Sequence, residues 1–311
     1  MKLIRDLESI IEPFKNAVIT IGNFDGVHIG HQALFKKVTE KAKDIKGTSI
    51  AMTFDPHPLR IIKKNGFPPL ITRYDQKIEL IEKCGIDVVI CISFSKEFAS
   101  ITAKEFIQDI LINRIGTKAI VVGHDYAFGK NREGNLEFLK THTKNLGYDV
   151  IVVDWIEISN GWSGRISSTK VRELVIEGRV NDAKKLLGRF YQLKGKVVVG
   201  RNRGGKLLGF PTANINLCDE LCPKSGVYAV IVEYERKKYK GVANIGYSPT
   251  FGDQKFTVEV HILEFNKDIY NEEISVEFIY RLRDEKKFSG ISELHKQISK
   301  DIEKAQEILE I

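Results

Sequence analysis

The residues best suited to chemistry near the start of the chain form the string Gly22-Asn23-Phe24-Asp25-Gly26-Val27-His28-Ile29-Gly30-His31. It follows an apolar run, Ala17–Ile21, and opens a helical pattern. His28 and His31 are three apart, so on a first helical turn both imidazoles share a face. A helix N-terminus adds unpaired N–H groups and the positive end of the dipole. Gly30 has no side chain and leaves the backbone open to a ligand. This combination suits a phosphate site that stabilises charge during nucleotide transfer. A zinc pair, or one packed and one exposed His, would use the same letters. Zinc needs further ligands at suitable spacing, and none is evident nearby.

A second anion cradle is written in Arg165-Ile166-Ser167-Ser168-Thr169-Lys170-Val171-Arg172, where hydroxyls flanked by cations start a helix. Ordinary N-capping by Ser or Thr would need the same residues. Pro56-His57-Pro58 is a stiff loop after a strand. Further on, Gly200-Arg201-Asn202-Arg203-Gly204-Gly205-Lys206 fits the start of a P-loop. Leu207 stands where Ser or Thr would hold Mg²⁺, and Gly209-Phe210-Pro211 breaks the helix that a P-loop requires. In Leu208-Gly209-Phe210-Pro211-Thr212-Ala213-Asn214, Thr212 and Asn214 are two apart and share a face of an extended chain. A hydroxyl and an amide oxygen are hard ligands suited to Mg²⁺ carried with nucleotide phosphates. In Phe256–Ile262, alternation puts Phe256, Val258, Val260 and Ile262 on one face and Glu259 and His261 on the other. There Glu259 is either a solvated carboxylate or a general base.

The first two strings together resemble the nucleotidylyltransferase superfamily with its HxGH signature. The full string Gly22–His31, with Phe54-Asp55-Pro56-His57-Pro58, Gly123-His124-Asp125-Tyr126-Ala127-Phe128-Gly129 and Ile166-Ser167-Ser168-Thr169, resembles the FMN adenylyltransferase half of bacterial bifunctional FAD synthetases. The resemblance implies that His28 and His31 act in catalysis. It implies that Gly22, Asn23, Phe24, Gly30, Arg165, Ser168, Thr169 and Arg172 hold ATP and its phosphates. Pro56, His57 and Pro58 would help seat the flavin. Asp125 would contact the flavin nucleotide or the adenosine; the family often carries Asn there.

The stretch Leu208–Asn214 resembles riboflavin kinases. So do Gly226-Val227-Tyr228-Ala229, Asn244-Ile245-Gly246-Tyr247-Ser248-Pro249-Thr250-Phe251, Glu259-Val260-His261 and Arg281-Leu282-Arg283. This resemblance implies Mg²⁺ at Thr212 and Asn214, ATP at Thr212, Gly205 and Lys206, flavin at Arg283, and Glu259 as general base. His261 reads as structural. Where the family usually has Gly-Arg, this chain has Gly205-Lys206, which keeps a phosphate contact without bidentate geometry. The implied activity is phosphorylation of riboflavin to FMN and adenylylation of FMN to FAD with release of pyrophosphate. ATP is then the co-substrate and flavins are substrate and product.

These residues need two kinds of scaffold. Up to about residue 185, strand runs (Ala17–Ile21, Thr48–Thr53, Val88–Ile92, Ala119–Val122, Asp149–Val153) alternate with helical patterns (His31–Lys43, Tyr74–Cys84, Ala103–Asn113, Asn135–Leu146). Short apolar strands separated by helices predict a doubly wound, buried parallel sheet, with ligands at the carboxyl ends of its strands. From Tyr191 onward strand follows strand: Gln192–Val199, Val227–Tyr234, Lys238–Ile245, Phe256–Phe265 and Ile274–Tyr280. That predicts an antiparallel sandwich or barrel, and the barrel is the expected form, as the kinase resemblance implies. A terminal helix carries Ile291, Leu294, Ile298, Ile302, Ala305 and Leu309 on one stripe. The expected division is an adenylyltransferase domain over 1–186 and a kinase domain over 187–311.

The whole chain, 311 residues with 42% hydrophobic and 29% charged, has the size of about two globular domains. No apolar run approaches the roughly 18 residues of a membrane helix, and the N-terminus lacks the apolar core of a signal peptide. Cys84, Cys91, Cys218 and Cys222 match neither a zinc pattern nor a disulfide framework, so a cytoplasmic setting is expected. A net charge of +7 favours anionic partners, but the cations are dispersed, against a nucleic-acid groove. Small-molecule substrates are expected, with no nucleic acid, membrane or protein partner. Two other readings use the same letters: a different nucleotidylyltransferase with a regulatory barrel, or an oligonucleotide-binding barrel. The second needs stacking aromatics, whereas Phe256 and Phe278 alternate with apolar neighbours.

Overall fold

The five apolar runs of the N-terminal half become five strands of a six-stranded, all-parallel sheet. A computed structural model of the chain describes residues 1–62, 66–156, 165–199, 209–217, 219–249 and 254–310. The strands are β1 (Lys2–Ile4), β2 (Ala17–Ile21), β3 (Ser49–Asp55), β4 (Val88–Ser93), β5 (Thr117–Gly123) and β8 (Asp149–Val153), in the order β1-β4-β3-β2-β5-β8. The edge strand β1 was not legible in the sequence; it pairs with β4 through only three residues. Two short strands, β6 (Ala127–Phe128) and β7 (Gly134–Asn135), form a separate hairpin. Every residue of β2 is buried, as a strand covered on both faces requires. Ile19, Ile50, Ile90 and Ile120 face one core layer, and Val18, Ala51, Val89 and Val121 the other.

Helices α1 (Ile29–Asp44), α2 (Pro58–Ile62), α3 (Tyr74–Lys83), α4 (Lys96–Ala99), α5 (Ala103–Glu105) and α6 (Leu136–Leu146) connect these strands, and α5 runs on into π-helical turns over Phe106–Ile115. Because β3 lies on one side of β2 and β5 on the other, the strand order reverses at β2. The crevice beyond the carboxyl ends of β2 and β5 is therefore the topological switch point, where open α/β sheets bind ligands.

Strands β9 (Tyr191–Val198), β10 (Ala213–Asn216), β11 (Gly226–Tyr234), β12 (Lys237–Pro249), β13 (Gln254–Ile262) and β14 (Glu273–Arg283) close an antiparallel barrel in the order β10-β13-β12-β11-β14-β9. Tyr191, Leu193, Tyr228, Val230, Ile245, Val258, Val260, Val276 and Phe278 are buried, and Phe278 packs edge-on against Tyr228. That aromatic is core and offers no stacking platform. The terminal helix, labelled α9 (Ile291–Leu309) after α7 (Ser168–Ile176) and α8 (Val180–Leu187), lays Ile302, Ala305, Ile308 and Leu309 on Val227, Ala229, Val242 and Leu282. Ile291, the first letter of the expected stripe, is exposed.

By packing, residues 1–68 and 74–167 form one compact unit, and residues 69–73 and 168–311 another. Helices α7 and α8 thus group with the barrel, ahead of the change in sequence character near Gly188. The reason is burial: Val180, Ala183, Leu186 and Leu187 all lie inside this unit, and the Lys224 N–H donates to the Val175 carbonyl at 3.3 Å. Residues 69–73 join it through a parallel bridge from Leu70 to Glu220. Among the described residues, no helix is long and apolar enough to cross a membrane, and Cys84, Cys91 and Cys222 form no disulfide.

Candidate functional site

In the first unit, β2 delivers the chain to the carboxyl edge of the sheet, and the turn that follows is strained. Phe24 (φ 49°) and Val27 (φ 39°) both lie in the left-handed region, a genuine outlier for β-branched valine. Such strain persists only where the surroundings over-determine it, and it clusters at functional sites. Here Phe24 and Val27 are almost fully buried, with the Phe24 ring edge-on to Phe35 and His31. Gly22 is required by that ring, because a Cβ there would lie 2.8 Å from Phe24 Cε1.

The turn ends on His28, which caps α1: its Nδ1 accepts the His31 N–H at 3.3 Å. Ser, Thr, Asp or Asn usually does this. With Nδ1 accepting, the proton of the neutral ring belongs on Nε2, as a donor. The two imidazoles are stacked, centroids 3.6 Å apart and planes 18° from parallel, so the fold brings them together at the start of α1. Gly30 serves this pair as well, since its Cβ would come within 3.2 Å of the His28 ring.

The Asp55–Pro56 bond is cis. His57 Nδ1 accepts the Leu59 N–H at 3.2 Å, and Pro58 takes the first position of α2, where a missing N–H is harmless. On another loop of the same unit, Asp125 and Arg165 are joined in an ion pair, and the Arg165 guanidinium stacks on Trp155 at 3.8 Å. A phosphate-binding and a nucleotide-contacting residue from the sequence reading therefore hold each other. Asp125 also lines an open cleft of about 720 Å³ with His124, Tyr126, Asn135 and Lys140. Ser168 and Thr169 open α7 in the second unit. Arg172, also on α7, donates from Nε to the Pro69 carbonyl at 2.9 Å.

The barrel brings its own set together. Asn214 of β10 is paired directly with Glu259 of β13, which is paired on its other side with Asn244 of β12. Direct cross-strand partners stand about 4.5–5.5 Å apart at Cβ on one face. Val258 and Val260 face the interior, so this polar row lies on the outer face, as the alternation predicts. Thr212, one step before β10, lines a pocket of about 320 Å³ with Pro211, Asn266, Lys267 and Tyr270. His261 Nδ1 contacts the Pro211 carbonyl at 2.7 Å, and its ring meets Phe210 edge-on, a structural role that anchors the residue before Thr212.

Arg283 spends its guanidinium on α9: Nε and Nη2 reach the Asp301 carboxylate at 3.0 and 2.7 Å, and Nη1 donates to the Asp284 carbonyl at 2.9 Å. These bonds give it a structural task that the sequence reading did not include. Gly205 and Lys206 lie outside the described residues.

Comparison with known proteins joins these two constellations. A family model described as FAD synthetase matches residues 10–170, and one described as riboflavin kinase matches residues 187–309. The bifunctional riboflavin kinase/FMN adenylyltransferase of Escherichia coli K12 is 37% identical over 303 residues, covering 97% of this chain and 96% of that one. The chain belongs to this bifunctional family. A Buchnera aphidicola relative of the same name, from Schizaphis graminum, is 37% identical over 306 residues and covers 97% of both chains. A crystal structure described as a macrolide-efflux protein from Streptococcus pneumoniae superposes with a TM-score of 0.87 at 34% identity, covering 98% of each chain.

Within the bifunctional family frame, one buried residue stands out that the motif reading missed. Lys77 on α3 is only 8% exposed. Its Nζ donates to the Phe54 carbonyl at 3.0 Å, Thr53 Oγ1 at 3.1 Å and the Asn23 carbonyl at 3.4 Å. Burial pushes the Lys77 ammonium below the usual lysine range, and the nearby Asp25 and Asp55 carboxylates oppose that shift. A signal for it existed: Lys77 sits four residues before buried Ile81, on the face that α3 turns to the core.

Proposed function

We propose that the chain makes FAD from riboflavin in two steps, with separate residues for each. In the barrel, the riboflavin 5′-hydroxyl attacks the γ-phosphorus of ATP. The new O–P bond forms as the bond to the β-phosphate oxygen breaks, and ADP leaves with FMN formed. Glu259 accepts the hydroxyl proton, and Asn214 beside it fixes the edge on which the phosphates lie. In the sheet domain, an oxygen of the FMN phosphate attacks the α-phosphorus of a second ATP, and pyrophosphate leaves. His28 donates from Nε2 and, with His31 and the first N–H groups of α1, stabilises charge developing on the phosphates. The proposed functional division lies at 186/187, with Gly22, Asn23, Phe24, Gly30 and Arg165 on ATP and Pro56, His57, Pro58 and Asp125 toward the flavin; for Ser168, Thr169 and Arg172, which group by packing with the second unit, the ATP role rests on the motif.

The observation that carries this reading is the pair of stacked imidazoles at the start of α1, which His28 caps, at the sheet's switch point. It supports nucleotide transfer on a scaffold different from the one that holds Glu259. For the kinase step, Thr212 and Asn214 offer two neutral oxygen donors. Among the described residues, no cluster of three His, Cys, Asp or Glu could hold a metal. This donor set fits Mg²⁺ that arrives with the nucleotide, since that cation takes few protein ligands and completes its shell with phosphate and water. When bound it would neutralise charge on the transferring phosphoryl group.

The test is a pair of variants with opposite outcomes. His28→Ala should lower FAD formation from supplied FMN by about 10²–10³-fold and leave FMN formation intact. Glu259→Gln should lower FMN formation by about 10²–10⁴-fold while supplied FMN still becomes FAD. Equal loss of both activities in either variant, without unfolding, would refute two separate sites. Near-parental turnover of Glu259→Gln would remove that carboxylate from proton transfer, which a loose phosphoryl transition state needs little.

A further inference from the structure

We propose that Lys77 is a positioning residue for adenylyl transfer: its ammonium pins the strained His28 turn and the Pro56 loop at one fixed separation. The proposal rests on the reading of the His28–His31 pair as the adenylyl-transfer site.

The geometry is specific. An ammonium has three N–H donors, and three acceptors surround this one: the Asn23 carbonyl, Thr53 Oγ1 and the Phe54 carbonyl. All three donors are accounted for, so Lys77 has none left for a phosphate. It acts through the backbone instead. Asn23 begins the turn that holds Phe24 and Val27 at positive φ, and Thr53 and Phe54 lead into Asp55-Pro56-His57-Pro58. Thr53 Oγ1 also donates to the Asn23 carbonyl at 3.2 Å, which closes a small network between the ends of β2 and β3. At the other end of the turn, Gln32 Nε2 holds the Val27 carbonyl at 2.9 Å. The strained segment is therefore held by side chains at both ends, Lys77 and Thr53 on the Asn23 carbonyl and Gln32 on the Val27 carbonyl.

A buried lysine is expensive unless it is paired. An apolar residue at 77 would remove that cost if packing alone were needed. The cation lies where two motif-bearing segments meet, and a small displacement of reacting groups costs up to about 10²-fold in rate.

The experiment measures adenylyl transfer from supplied FMN and ATP in the full chain carrying Lys77→Met, Thr53→Val or His28→Ala, with riboflavin phosphorylation as internal control. Lys77→Met should lower kcat for FAD formation by about 10–10²-fold. KM for FMN should stay within about threefold of the parent, and FMN formation should be unchanged. Thr53→Val removes one acceptor and the relay to Asn23 while leaving the charge, and should lower the same kcat by about threefold to tenfold. If Lys77→Met does not fold, Thr53→Val decides in its place. Parental kcat in either folded variant, a loss confined to KM, or loss of activity only in step with loss of the first unit's melting transition would overturn the proposal. Full FAD formation by His28→Ala would instead overturn the site reading on which it rests.

Discussion

His28 does two jobs with two nitrogens. Its Nδ1 caps α1, which leaves the proton of the neutral ring on Nε2, so the proposed donor is set by the same contact that starts the helix. The proposed kinase site divides labour differently. Thr212 and Asn214 are the proposed oxygen ligands, and His261 Nδ1 contacts the Pro211 carbonyl next to Thr212. Thr212→Ala and Asn214→Ala should each raise the Mg²⁺ concentration needed for half-maximal FMN formation, because hard oxygen ligands are lost. His261→Ala should raise it less. Titrating Mg²⁺ against initial rate checks the order, and an unchanged requirement in Thr212→Ala and Asn214→Ala would contradict their assignment. The sequence made these residues legible because each sits in a string whose spacing has a chemical meaning. Lys77 and the Arg283–Asp301 pair were not legible, because a charged letter reads as solvent-facing until its partners, distant in sequence, are known.

The elements repeat that contrast. Strands β2, β3, β4, β5 and β8 were legible from continuous apolar runs, since a strand covered on both faces has no polar side to blur the pattern. The short strands β1 and β10 were not, because three or four residues carry too little periodicity. α9 was legible as an amphipathic stripe, but the stripe did not show that Asp301, buried on the docked face, meets Arg283 from β14. Gln297 Nε2 adds a bond to the same carboxylate at 3.0 Å. Asp301→Asn should therefore destabilise the barrel unit by roughly 2–3 kcal/mol, below the about 3–5 kcal/mol of a fully buried pair because Arg283 is partly exposed. Chemical denaturation followed by the activity of the kinase step checks this. A change under about 0.5 kcal/mol, the size of an ordinary surface substitution, would show that the pair does not hold α9.

At the scale of the whole molecule, one chain carries two scaffolds, and their borders by packing and by motif differ. Because α8 buries Val180, Ala183, Leu186 and Leu187 in the barrel's unit, a fragment of residues 168–311 should be better folded than one of 187–311. Both should make FMN and neither FAD. Their thermal melts and product profiles check this, and equal melting points would mean that α7 and α8 contribute nothing to the barrel's stability. The central claim is that FMN made by one site is the substrate of the other. The most direct measurement is a time course of the full chain with riboflavin, ATP and Mg²⁺, its flavins separated at each point. The account predicts that FMN forms first and FAD follows, and that in the His28→Ala variant FMN accumulates without FAD. FAD formed by that variant at the parental rate, or no FMN from the parent at any time, would contradict it.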